Sequence, residues 1–463
     1  MIVALALIFG IRALLSVLLP PVADEAYYLI WANHLSWAYV DHPGMVAWLL
    51  AGMRGIISDP FIAARVLSAL LYAAAIGAIY STLRTLGKGP SVAAAAALTF
   101  MLIPYHFVVG ITYQVEQPLI AGTAIAIWAW VRLTTTQQNH YFYILAVALA
   151  AILNTKLTAG LLAVGFALLV ALVPTRWAWL KRAHFWGGAG VVFAGMMPFL
   201  YWQVTHEWIS FMFHVKRVGE TVWFQYFFEF MGNQLLYLSP VILAWFWVSV
   251  RQRPRSIVRR DMLVLSGILW IPFALLSIKT QVYPHWPIIA TIPMVIAIAD
   301  AESPCLRRWL MSTSVFTGLV LAVLLLVQPS YLRSEVRHNR QVVHQLQGKI
   351  AASPTPPKIL SDFHGSVGIL SILTGYPVGM TQAINAEHPR WGDTQIAQWE
   401  TGDIPKGRDA LLWIEPTPQL ITQLATQFKT VTSHPEWQLT VLEPHISKKQ
   451  FIWCENAIEA TRL

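Results

Sequence analysis

Charge is scarce in this chain: only 12% of its 463 residues are Asp, Glu, Lys or Arg, whereas 56% are hydrophobic. Ordinary soluble domains carry about 25% charged residues. With a mean hydropathy of +0.54, the composition excludes a soluble globular protein of this size and indicates a polytopic membrane protein. Cysteine is nearly missing. Cys305 and Cys454 lie far apart and, on the topology argued below, on opposite sides of the membrane, so no disulfide is expected between them. No nucleic-acid motif accompanies the formal charge of +9, so the basic excess is assigned to cytoplasmic loops and membrane lipids, and nucleic acid is not an expected partner. The N-terminal run MIVALALIFGIRALLSVLL has neither a basic leader nor a small-x-small cleavage site, which makes it a retained helix. Internal repeats and an inverted duplication of spans are also missing.

Apolar stretches are abundant. At roughly 20 residues per crossing, they fall near 1–20, 60–83, 91–112, 117–133, 141–154, 157–175, 186–205, 233–250, 262–278, 286–301 and 309–328, eleven in all. Alternate connecting segments divide thirteen Lys and Arg on one side from six on the other. Basic residues in short loops stay cytoplasmic, so the first residue is expected inside and the loop 21–59 outside. The 21 Trp, 15 Tyr and 21 Phe suit the headgroup zone, where an apolar ring meets water. A transmembrane domain is therefore expected over 1–329 and an extracytoplasmic α/β domain over 330–463. In that tail KILSDF, DALLWIE, LTVLE and QFIWC read as strands, and PQLITQLATQF reads as a helix.

The uncommon polar groups collect at the outer span ends. PPVADEAYYLIWANHLSWAYVDHPG follows the first span and places Asp24 and Glu25 beside Tyr27, Tyr28 and Trp31. Asp24 alone could cap a helix, but a cap needs one acid and no aromatic wall, so the pair points to a partly dry pocket. Asp41, His42, Pro43 and Gly44 form a turn signal. YQVEQPL carries Glu116, LNTKLTAG puts Lys156 in a tight hairpin, FHVKRV carries Arg217, and IKTQVYPHW carries Lys279 and His285. Singly, each cation reads as a snorkelling or loop charge. Together with the carboxylates on one face they suit a phosphate-bearing lipid and a base beside it.

The DE pair followed by DHPG, then QPL, NTKLTAG and PHWP, resembles in order and spacing the bacterial relatives of dolichyl-phosphate-mannose protein mannosyltransferases, a group that includes the aminoarabinose transferases. The likeness covers about residues 1–300. It implies the GT-C fold (families 39 and 83), and transfer of a sugar from a polyprenyl-phosphate carrier to an extracytoplasmic acceptor, with inversion and without a nucleotide sugar. By the same likeness Asp24 matches the acid that acts as or near the catalytic base, with Glu25 as its partner. Three positions depart from the pattern: Gly44 replaces a second proline, Glu116 an aspartate, and Leu157 a tyrosine.

A departing phosphate needs cations, so Lys156, Arg217, Lys279 and His285 are the donor-phosphate candidates. Asp41, His42, Glu116, Tyr27 and Trp31 are candidates for acceptor or sugar contacts. No cofactor is required by this chemistry. Carboxylates with one nearby His leave a divalent metal open. The rival reading is a lipid or sugar transporter or flippase, which predicts charges in mid-span and paired repeats. Arg12 is the clearest mid-span charge.

Overall fold

The computed structural model describes residues 2–18, 22–216, 224–252, 254, 256–301, 309, 312–320, 335–362, 364–380, 403–437, 439 and 449–462. Arg217 and Cys305, and all of LTVLE beyond Leu439, lie outside them. The chain divides into two compact units: Met1–Val17 with Trp37–Val327, and Leu18–Ser36 with Gln328–Leu463.

The first unit is helical. Its elements are α1 (Ile2–Leu18, which crosses the unit boundary), α3 (Met45–Arg54), α4 (Pro60–Thr85), α5 (Pro90–Leu102), α6 (Pro104–Val109), α7 (Glu116–Thr136) and α8 (His140–Leu153). These are followed by α9 (Gly160–Ala171), α10 (Ala183–Thr205), α11 (Ile209–Lys216), α12 (Phe224–Leu238), α13 (Pro240–Arg251), α14 (Ile257–Leu276) and α15 (Thr291–Asp300). Among the described residues three helices, α4, α7 and α10, are long and apolar enough to cross a membrane. Two bent pairs raise the number to five, Leu157–Ala171 with Pro174–Lys181 and Phe224–Leu238 with Pro240–Arg251.

Local chemistry sets the helix ends. Asp59 accepts from the Ile62 amide at 2.8 Å and Pro60 occupies the first turn of α4, where a missing N–H costs nothing. Pro104 splits the apolar stretch 91–112 into α5 and α6, because its ring cannot continue the preceding helix. Ser239, at φ 77°, and Pro240 make the sharp corner between α12 and α13. The core runs through the Ala-rich α5, whose Ala93 to Ala97 are buried all round, and through Leu119, Ile127, Leu265 and Val295.

The second unit holds α2 (Ala23–Trp31), α16 (Glu335–Ala352), α17 (His364–Thr374), α18 (Pro418–Gln427) and a five-stranded sheet of order β2-β1-β4-β6-β5. Those strands are β1 (Lys358–Ser361), β2 (Val378–Met380), β4 (Ala410–Ile414), β5 (Phe428–His434) and β6 (Gln450–Ala457). β3 (Asp403–Ile404) and β7 (Thr461–Arg462) pair separately. β1 runs parallel to β2 and β4, and β6 runs antiparallel to β4 and β5. ALLWI of β4 is buried at every position, the pattern of a central strand covered on both faces. Thr417 caps α18 by accepting from Leu420, again with Pro at the first turn. The tail is thus α/β, with KILS, ALLWI and QFIWC in strands as expected.

Candidate active site

In the first unit three connecting segments are tied together by backbone and side-chain bonds. The Met45 amide, just after the Asp41–Gly44 turn, donates to the Asn154 carbonyl at 2.9 Å, fixing that turn to the Asn154–Lys156 hairpin. The Tyr113 hydroxyl donates to the Val46 carbonyl at 2.8 Å, fixing the same segment to the loop that leads into Glu116. That loop is also held from α4: Arg65 donates to the Ile111 carbonyl at 2.9 Å, and the Ser68 hydroxyl to Thr112 at 2.9 Å. The Gln117 amide folds back onto the Thr112 carbonyl at 2.6 Å. The residues that follow the two anchored segments are the ones that meet.

Lys156 Nζ lies 2.9 Å from Glu116 Oε1, with only 8% and 4% of the two side chains accessible. An ion pair so deeply buried needs good geometry to offset its desolvation. Here the lysine backbone is extended, at φ −153°, and the acid starts α7, where the helix dipole favours a negative charge. His285 Nε2 stands 3.8 Å from the same carboxylate oxygen, and the His42 ring lies within electrostatic range of Glu116. His285 keeps 28% of its side chain accessible. Burial first, and then the Lys156 ammonium, lower its pKa to about 4 against the partial opposition of Glu116, so at neutral pH the ring is uncharged.

The His285 ring is set by stacking. Tyr105 of α6 stacks on it at 5.8 Å and 12° and also stacks on Tyr237 at 4.9 Å, while Tyr283 stacks on it at 5.7 Å. The next residue of α6, His106, is fully buried. Its Nε2 is 2.7 Å from Thr291 Oγ1, whose own proton goes to the Ile288 carbonyl. His106 therefore donates to Thr291 from Nε2 and accepts the Tyr72 hydroxyl at Nδ1, 3.2 Å away. The short helix α6 thus holds the 285–291 segment at both ends. Arg12 lies over the Tyr72 ring at 4.1 Å, and a Cβ at Gly110 would press on the Arg12 guanidinium and on the Tyr72 ring, so a larger residue there would displace them.

The acid pair belongs to the second unit. α2 begins after Val22, which makes no side-chain cap, so Asp24 occupies the first turn without being the N-cap. Asp24 is exposed, and Glu25 is fully buried. Trp31 meets Tyr27 at 4.9 Å and Tyr28 at 5.2 Å, both edge-on, so the aromatic wall read from the sequence is a packed cluster. The helix ends at Trp31, and Leu35 beyond it is exposed.

His42, Glu116, Lys156 and His285 come together in the first unit, and Asp41 precedes His42 in its turn. Lys279 is exposed on the turn after α14, and Arg217 lies outside the described residues. Tyr105, Tyr113, Tyr237, Tyr283 and Arg65 were not signalled as site residues. Their roles come from loop closure, and a lone Arg or Tyr at a span end carries no local signature of it. Among the described residues no three His, Cys, Asp or Glu side chains gather as a metal cluster.

The structure of ArnT from Cupriavidus metallidurans bound to undecaprenyl phosphate superposes with a TM-score of 0.68 and 16% identity, over 100% of this chain and 99% of that one. The chain shares the ArnT fold. The apo state of the same protein matches equally, with a TM-score of 0.68 over 98% and 97% of the two chains. An archaeal oligosaccharyltransferase, AglB from Archaeoglobus fulgidus in complex with an inhibitory peptide and a dolichol-phosphate, matches at a TM-score of 0.45 with 11% identity, over 88% of this chain and 69% of that one, too low to carry an argument. Residues 41–202 match the profile of the dolichyl-phosphate-mannose-protein mannosyltransferase family. That span contains Asp41, His42, Glu116 and Lys156. No curated protein is a significant sequence match.

Proposed function

We propose that the chain is a membrane glycosyltransferase that moves a sugar from a polyprenyl-phosphate donor to an extracytoplasmic acceptor, with inversion at the sugar carbon. The observation that carries this reading is the buried Glu116–Lys156 pair, bracketed by the Asp41–Gly44 turn inside the segment that matches the mannosyltransferase profile. The ArnT fold supports it, and the ArnT relative was crystallised with a polyprenyl phosphate, undecaprenyl phosphate. We place the protein in a bacterial inner membrane with eleven spans over 1–329, the loop 21–59 and residues 330–463 being extracytoplasmic. The partition of basic residues supports this orientation.

In the transfer, Asp24 takes the proton of the acceptor hydroxyl. The acceptor oxygen bonds to the anomeric carbon as the bond from that carbon to the phosphate oxygen breaks, and the electron pair leaves with the polyprenyl phosphate. An ammonium has three donors, so Lys156 can keep Glu116 and still bind a phosphate oxygen. Arg217 and Lys279 add charge, and His285 adds a neutral hydrogen-bonding ring. Glu25 orients Asp24, and Asp41, His42, Glu116, Tyr27 and Trp31 are assigned to acceptor or sugar contacts.

The test is transfer of radiolabelled sugar from undecaprenyl-phosphate sugars by the purified protein, comparing wild type, Asp24→Asn and Glu25→Gln. Asn keeps the size and most hydrogen bonding but cannot take the proton, so turnover should fall by about 10²-fold or more. Near-normal turnover in Asp24→Asn removes the base assignment, and no transfer from any such donor by wild type removes the function.

A further inference from the structure

The acid pair sits in Leu18–Ser36, which folds as one compact unit with Gln328–Leu463. Its helix has nine residues and no side-chain cap. Isolated helices shorter than about 12–15 residues are marginal in water, so α2 owes its order to packing. Its principal partner in that unit is α17, which in turn packs on β1 and β2.

The contact between them is backbone on backbone. A Cβ at Gly368 would fall 2.7 Å from the Ala26 carbonyl carbon, 2.8 Å from its oxygen and 2.9 Å from its Cβ. Only glycine permits this approach, and Ala26 directly follows Glu25. Val367, Ile369 and Leu370 around Gly368 are buried and anchor α17. Ala26, Leu29 and Trp31 are buried on α2, and Glu25 is fully enclosed while its neighbour Asp24 is exposed. A seat made of main-chain atoms has no rotamer freedom, so it fixes the exposed carboxylate more closely than a side-chain contact could.

We propose that the C-terminal α/β unit is the positioning element for the acid pair and that Gly368 is its positioning residue. This rests on the reading that Asp24 serves in the transfer. It gives the tail a role in the chemistry and explains why a glycine stands inside the apolar helix HGSVGILSILT.

The experiment uses the full chain in detergent, as wild type, Gly368→Val, Gly368→Ala, Gly368→Ala with Ala26→Gly, Asp24→Asn, and the control Gly348→Ala. Gly348, on α16 of the same unit, has open space around it. Amide hydrogen exchange is read at residues 23–31 and at 410–414, alongside transfer kinetics and the Kd for undecaprenyl phosphate. In Gly368→Val, residues 23–31 should lose protection while 410–414 keep theirs. Transfer kcat should fall by up to about 10²-fold, since a misplacement of about 1 Å can cost that much, and undecaprenyl phosphate affinity should stay within about twofold of wild type, the change expected when a transition-state contact alone is lost. Ala26→Gly should recover part of the Gly368→Ala loss, because it removes one of the three close contacts. Gly348→Ala should match wild type.

Unchanged protection of 23–31 in Gly368→Val overturns the proposal. So does wild-type turnover in Gly368→Val when Asp24→Asn is inactive, which leaves the acid-pair reading standing. Wild-type turnover in both variants overturns that reading and the proposal with it. If valine also exposes 410–414, the same criteria are applied to Gly368→Ala.

Discussion

Among the described residues of the first unit, two deeply buried ion pairs have surroundings that differ in kind. Arg176 pairs with Asp261 through Nη2 and Oδ2, and the same oxygen accepts the Trp130 indole N–H at 2.9 Å. The guanidinium also lies over the Trp130 ring at 4.7 Å and the Trp179 ring at 5.6 Å and donates to the Leu169 carbonyl. Aromatic walls and main chain enclose that pair. Glu116–Lys156 joins the start of α7 to a hairpin loop instead, and its neighbours, His285 and the His42 ring, are themselves polar and titratable. Arg176 is tied down by several planar contacts that only a guanidinium makes. Lys156 is a point charge whose remaining donors can be lent to a ligand. Burial and opposite charge are common to both, so neither marks function. What separates them is what surrounds the cation: aromatic faces and main chain around Arg176, polar rings and a flexible ammonium at Lys156.

The largest expected effect follows for the enclosed pair. Arg176→Met leaves Asp261 buried without its cation, and breaking a buried pair on one side costs about 3–5 kcal/mol. Thermal or denaturant unfolding in detergent should show a loss of this size, while turnover per folded molecule stays near wild type. A loss of turnover without a loss of stability would erase the distinction between the pairs.

Lys156→Met should do the reverse. Glu116 then lacks its ammonium, which lowers stability. The larger mark, however, should be on donor use, with a fall of about 10²-fold in kcat/KM, the size expected when one preorganised donor to a developing charge is removed. Undecaprenyl phosphate binding should weaken in parallel. Unchanged donor affinity would return Lys156 to the structural class of Arg176.

Much of this contrast was legible in the sequence, but not its assignment to residues. NTK announces a tight hairpin and DHPG a turn, both from local backbone preference, and the collection of polar groups at the ends of apolar stretches is visible as composition. That Glu116 pairs with Lys156 depends on Tyr113, Arg65 and Gln117 folding one loop against another, and no spacing rule reports such closure. The DE pair was visible too, yet its docking on Gly368 was hidden because a lone glycine in an apolar helix has no signature until its partner is in place. Apolar runs gave the strands β1, β4 and β6, while their order depends on crossovers that no single run encodes. The stretches read as continuous spans at 91–112 and 157–175 are interrupted by Pro104 and by the bend before Pro174. Hydropathy averages over such breaks.

The smallest effect sharpens the comparison through His285, whose low affinity for a proton arises partly from Lys156. In the unfolded chain this imidazole takes a proton near its ordinary 6.5, and in the fold not until about 4. Between those values the unfolded state holds more protons, so stability rises with pH and is lost as pH falls from 6.5 towards 4. The chain has 14 histidines, so the informative quantity is a difference. His285→Gln should flatten the decline in unfolding temperature over that window relative to wild type, and should leave stability above pH 7 nearly unchanged. In the Lys156→Met background the ammonium that helps hold the ring neutral is gone, so His285 should protonate closer to its ordinary value and the window should narrow. If His285→Gln shows the same slope as wild type in both backgrounds, the ring does not sense Lys156, and the Glu116–Lys156–His285 group does not act as one electrostatic unit. If the slopes differ in the wild-type background and converge without Lys156, the coupling is established by measurement, and it is a coupling that Arg176, whose ring neighbours among the described residues are the indoles of Trp130 and Trp179, cannot show.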